Sequence, residues 1–90
     1  MPKFVIEREI PGAGSMSEEE LHQAALKALE ALKELGPNIQ WLHSYVTDNK
    51  VYCVYIAPDE GMILKHAKIA GIPANRISRV RQLLDATAAD

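Results

Sequence analysis

Three histidines, one cysteine and a carboxylate near the N-terminus are the residues of this chain best equipped for chemistry. His22, His43 and His66 stand 21 and 23 residues apart, so no two form an HxxH or HExxH pair on one element. An imidazole metal site has to be assembled in three dimensions or between two chains. Imidazole and carboxylate suit divalent transition metals, which makes His43, His66, His22 and Glu7 the candidate donors. Each also has a plainer role: His43 as a hydrogen-bonding group at an interface, His66 packed at a helix edge, His22 solvated. Glu7 has two readings, cross-strand pairing with an arginine or proton transfer in a pocket beside His43 and Tyr52. Cys53 is the lone cysteine, which excludes an intrachain disulfide and a cysteine zinc knuckle. With no thiolate-stabilising neighbour in sequence, it reads as a small hydrophobe. Gly12-Ala13-Gly14 lacks the lysine and glycine spacing of a phosphate loop. No residue is assigned a catalytic role.

The elements that position these groups follow from periodicity. Phe4 to Ile10 alternates as a strand, with Phe4, Ile6 and Ile10 on one face, Val5, Glu7 and Glu9 on the other, and Arg8 interrupting the apolar face. Pro11-Gly12 stops it. Ser17-Glu18-Glu19-Glu20 is a capping box, and Leu21, Ala25, Ala28, Leu32 and Leu35 form a helical stripe ended by Gly36-Pro37. From Ile39 to Ala57 the period is two, with a hairpin turn at Asp48-Asn49. A two-residue loop predicts the pairs Val46–Val51, Ser44–Cys53 and Leu42–Tyr55. Trp41, His43, Tyr45, Tyr52, Val54 and Ile56 then share the opposite face. Asp59 caps a second helix whose buried stripe is Ile63, Ala67 and Ala70, ended by Gly71-Ile72-Pro73. A last strand is expected from Arg76 to Leu84, and the tail from Asp85 is expected to fray.

The order β-α-β-β-α-β within 90 residues predicts one ferredoxin-like α+β domain over residues 1–90, an antiparallel sheet with both helices on one face. The right-handed crossover rule puts the first and third strands in the middle. The uncovered face then holds Glu7, Trp41, His43, Tyr45 and Tyr52 with Val5, Val54, Ile56, Ile77, Arg79, Arg81 and Leu83. That set is too apolar for water and too polar for a core, so a homodimer through this face is expected, enclosing a polar-lined pocket. Glu7 and Glu9 are expected to face Arg79 and Arg81 across the sheet.

Composition removes other partners. A net charge of −2 gives no footprint for nucleic acid or an anionic membrane. At 48% hydrophobic and 24% charged residues the chain is globular in composition. No apolar run approaches the ~20 residues of a membrane span. Met1-Pro2-Lys3 leads into a strand without a signal-peptide core, so a cytoplasmic location is expected.

Four long strings carry a resemblance: Phe-Val-Ile-Glu-Arg-Glu-Ile-Pro-Gly-Ala-Gly from Phe4, Leu-Gly-Pro-Asn-Ile-Gln-Trp-Leu-His-Ser-Tyr-Val-Thr from Leu35, Tyr-Cys-Val-Tyr-Ile-Ala-Pro from Tyr52, and the His-Ala and Gly-Ile-Pro-Ala of the second helix end from His66. They resemble a bacterial domain-of-unknown-function family of small ferredoxin-like proteins often labelled nickel-binding. The likeness runs from Phe4 to about Thr87. It implies the ferredoxin-like fold, a homodimer and divalent-metal binding, with nickel foremost, and it assigns no ligand positions. Three functions stay open: a homodimeric metal- or small-ligand-binding protein with His43 as the first polar group; a cofactor-poor enzyme of the dimeric α/β-barrel kind, with Glu7 and His43 handling protons; and an interaction module whose aromatic face is interface alone.

Overall fold

Alternating strands and two capped helices assemble into a ferredoxin-like fold in the computed structural model, which describes residues 1–89. The strands are β1 (Lys3–Glu9), β2 (Gln40–Val46), β3 (Lys50–Ile56) and β4 (Arg76–Arg79), and the helices are α1 (Glu18–Leu35) and α2 (Glu60–Ala70). The sheet order is β2-β3-β1-β4, with all pairs antiparallel. β3 and β1 therefore occupy the middle, as the crossover rule requires.

Local chemistry explains the helices. Ser17 accepts from the Glu20 amide at 3.1 Å while Glu20 accepts from the Ser17 amide at 3.1 Å, completing the capping box. Asp59 accepts from the Met62 amide at 2.9 Å and caps α2. Gly71, at φ 70°, ends α2 in the left-handed region that glycine enters without strain.

The core lies between sheet and helices. Phe4, Ile6, Cys53 and Tyr55 from β1 and β3 are buried with Ile39, Ala57 and Ile63, and Leu32 and Leu35 of α1 pack against them. Ile63, Ala67 and Ala70 of α2 are all buried, as their spacing predicts. The opposite face of the sheet carries no helix.

The structure corrects the expected register in three places. β2 contains a bulge between Trp41 and His43, so Trp41 pairs with Tyr55 and Leu42 is the extra residue. Val46–Val51 and Ser44–Cys53 pair as expected, but upstream of the bulge the faces are exchanged. Trp41 consequently faces the helices, and Leu42 is 41% exposed. β4 ends at Arg79, short of Leu84, and pairs Phe4 with Arg79, Ile6 with Ile77 and Glu7 with Arg76. Paired residues share a face, so Ile77 and Arg79 belong to the helix side, and Ile77 packs against the core. Arg81 lies beyond the strand. The tail forms a short 3-10 turn over Ala86–Ala89, with Asp85 accepting from Thr87.

The Asp48-Asn49 turn needs no left-handed residue, since positive φ among the described residues occurs at glycines alone. Thr47 takes up that work: its hydroxyl donates to the Lys50 carbonyl at 2.9 Å and accepts from the Lys50 amide at 3.2 Å.

Candidate functional site

Two regions carry chemistry, one on each side of the sheet. On the open face, downstream of the bulge, β2 presents His43 and Tyr45, which pair with Val54 and Tyr52 of β3. The His43 ring meets Tyr45 edge-on, with centroids 5.1 Å apart and planes at 72°. Both side chains are exposed, Tyr45 to 61%. No hydrogen bond engages either His43 ring nitrogen among the described residues.

Glu7 lies on the same face, opposite Tyr52. Its Oε1 accepts from Lys50 Nζ at 3.0 Å, and this charged hydrogen bond holds the lysine pKa above its ordinary value. The expected arginine partner is thus replaced by a lysine of β3, while Arg76, and not Arg79, stands opposite Glu7 in β4. Glu7 lines up with Tyr52 and Tyr45, whereas His43 lines up with Val54 and Val5. The carboxylate and the imidazole are therefore in different rows, two strands apart, and form no proton-transfer pair within one chain.

The three histidines are not brought together. His22 is exposed on α1, and His66 is 1% exposed beneath the helices. His66 Nε2 lies 3.0 Å from the Ala28 carbonyl oxygen. A carbonyl can only accept, so Nε2 carries the proton and Nδ1 is left with a buried, unpartnered lone pair. Burial lowers the His66 pKa, the Ala28 carbonyl opposes that shift, and the Arg8 cation adds to it. Among the described residues no group of three or more His, Cys, Asp or Glu converges as a metal cage. On the open face His43 is the unengaged, exposed imidazole.

On the other side of the sheet, between β2, β3 and α1, lies a cavity of about 390 Å³. Its walls include Trp41, Ser44, Cys53 and Tyr55 of the sheet and Ala25 and Ala28 of α1. Of the residues expected to line a pocket, Trp41 alone is here; Glu7, His43, Tyr45 and Tyr52 remain on the open face. Trp41 is stacked on Tyr55 at 6.5 Å and donates from Nε1 to Ser44 Oγ at 2.9 Å.

Arg8 of β1 is a further polar group on the helix side of the sheet. This side chain is 1% exposed and lines the cavity. Its Nε donates to Cys53 Sγ at 3.3 Å and its Nη1 to the Pro73 carbonyl at 2.7 Å. Its Cζ lies 5.9 Å from the Tyr55 ring centroid. The signal was available: an arginine in phase with Phe4 and Ile6 on a strand must point where they point. Tyr55 is likewise buried, and desolvation raises its pKa to about 12, so its phenol stays neutral.

No helix among the described residues is long and apolar enough to cross a membrane. Comparison with known proteins agrees with this architecture. Residues 4–80 match the sequence profile of the family described as "Nickel responsive protein SCO4226-like". The crystal structure of SCO4226 from Streptomyces coelicolor A3(2) superposes with a TM-score of 0.77 at 20% identity, covering 91% of this chain and 99% of that one. At this identity the superposition speaks for the fold. No curated protein matches the chain.

Proposed function

Because the chain belongs to the nickel-responsive SCO4226-like family, we propose that it binds nickel as a homodimer joined through the open sheet face, with His43 as its first ligand. The observation that carries this reading is His43 itself. It is an exposed imidazole with unengaged ring nitrogens, fixed against Tyr45 on a face that no helix covers. Nickel favours imidazole nitrogen, and with no cluster of three or more donors among the described residues of one chain, a second copy would supply further ligands. Val5, Val54 and Ile56 are half-buried on the same face, beside the exposed Tyr45, and supply apolar surface for two copies to meet. Glu7 serves this surface as the partner of Lys50 rather than as a free acid.

The test is calorimetric titration of the tag-free protein with nickel, with zinc and copper as comparators, beside light scattering to read the mass in solution. Saturable nickel binding at micromolar affinity or tighter, at least about tenfold weaker in His43→Ala, is expected together with a dimeric mass. Val54→Lys, which places a charge in the proposed interface, should give a monomer and weaken nickel binding in parallel. Nickel binding indifferent to His43→Ala, or a wild-type monomer that binds nickel as tightly, would overturn the proposal.

A further inference from the structure

Between α1 and the sheet, the cavity of about 390 Å³ falls within the ~300–1,000 Å³ of small-molecule sites. It owes its space to alanines: Ala25 and Ala28 of α1 line it where larger side chains would fill the gap. Its floor includes the buried Tyr55, and its rim includes Leu21 and Val46, which are 36% and 43% exposed. The cavity thus runs from solvent at the rim to the edge of the core.

What the walls withhold decides the ligand. Arg8 is the charged residue among those that line the cavity. Its Nε and Nη1 are held by Cys53 Sγ and the Pro73 carbonyl, and its Nη2 is buried out of contact with solvent. The guanidinium is therefore turned into the protein and presents no donor to the cavity. Trp41 Nε1 is likewise taken by Ser44 Oγ at 2.9 Å. A charged ligand entering here would lose its hydration with nothing to replace it. A neutral hydrocarbon body loses nothing polar and gains the burial of its surface. The bulge at Leu42 adds a built element: it turns Trp41 inward, so that the indole, stacked on Tyr55, lies along the wall. Bulges are concentrated where a strand has to re-aim a side chain beside a site.

We propose that this cavity binds a small neutral lipophile, its hydrocarbon body packed between Ala25 and Ala28 of α1 and the Trp41 indole. The apolar walls select a hydrocarbon over a polar body, and the absence of a reachable counter-charge selects a neutral molecule over an anion. This site lies on the opposite side of the sheet from His43 and stands independently of nickel binding.

Trp41 is the sole tryptophan and lines the cavity, so its fluorescence reports occupancy directly. The experiment titrates the full chain at neutral pH with octanol and, as its charged counterpart, octanoate. Octanol is expected to change Trp41 emission saturably, to bind at least about tenfold more tightly than octanoate, and to shift the amide resonances of Ala25 and Ala28 by NMR. Ala25→Phe, whose ring takes the space of the ligand, should block octanol, and Ala25→Leu should weaken it by less. No saturation by octanol, octanoate bound as tightly as octanol, or octanol binding unchanged in Ala25→Phe would overturn the proposal. Leu83 and Leu84 are 79% and 84% exposed, so the tail of a second copy is the rival occupant. Octanol binding that appears only when Leu83→Ser and Leu84→Ser are combined would give the cavity to that tail and overturn the proposal as well. If Ala25→Phe does not fold, Ala25→Leu decides it.

Discussion

Acidification should destabilise this protein through His66, and the size of the effect follows from its surroundings. The folded ring is 1% exposed and neutral, with Nε2–H bound to Ala28 and Nδ1 facing no partner. Taking up a second proton would create a buried N–H without an acceptor, near the Arg8 cation, which is why the folded pKa is depressed. The unfolded chain takes up that proton near the ordinary histidine value of about 6.5. Below it the unfolded state binds more protons than the folded state, so stability rises with pH and falls as acid is added. The contribution is fully present above about pH 6.5 and is lost on acidification at up to ~1.4 kcal/mol per pH unit. Between pH 7 and pH 5 the loss assignable to His66 is then at most about 2 kcal/mol. Urea unfolding at fixed protein concentration, at half-unit steps across this range, measures it against His66→Gln. The variant loses packing and is less stable at pH 7, but its stability should fall less steeply with acid. Parallel pH profiles for the two proteins would refute the buried neutral ring.

Ser17→Ala removes the side-chain acceptor of the Glu20 amide at the start of α1 and should lower stability by about 1 kcal/mol in the same urea assay. Gly14→Ala would place a methyl group 2.9 Å from the Asp48 Cα, where backbone must shift; a loss of about 1–3 kcal/mol and displaced amide resonances at Thr47 and Asp48 are expected by NMR.

Much of this architecture is legible in the residues because several local signals agree. The Ser17–Glu20 box, the Ile63-Ala67-Ala70 stripe and the alternation in β1 and β3 each point to one arrangement, and the crossover rule then fixes the strand order. The site was less legible, for two physical reasons. Alternation holds only while the ladder is regular, and the extra residue Leu42 reverses the faces upstream of it. That one residue moves Trp41 from the open face to the cavity while leaving His43 and Tyr45 where the pattern puts them. In β4 both phases carry an aliphatic residue, Ile77 on one and Val80 on the other, so periodicity does not choose between them. The choice falls to pairing with Ile6, which brings Ile77 inward. Arg8 was visible as an interruption of an apolar face, but its meaning needed Pro73 and Cys53, which are 65 and 45 residues away in the chain.

The central position of β1 has a consequence for the order of events on the ribosome. β1 is made first, yet its neighbours are β3, completed at Ile56, and β4, completed at Arg79. Until β3 is complete, both edges of the apolar segment Phe4-Val5-Ile6 lack their partners, and one edge still lacks its partner until β4 follows, the kind of segment that adds to other chains. The charged residues Lys3, Glu7, Arg8 and Glu9 flank this short apolar run and shorten the stretch open to such pairing. Meanwhile α1 and the β2–β3 hairpin can begin to form through their own local hydrogen bonds while β1 waits. Closure of the sheet then comes as a late step that joins the two ends of the chain.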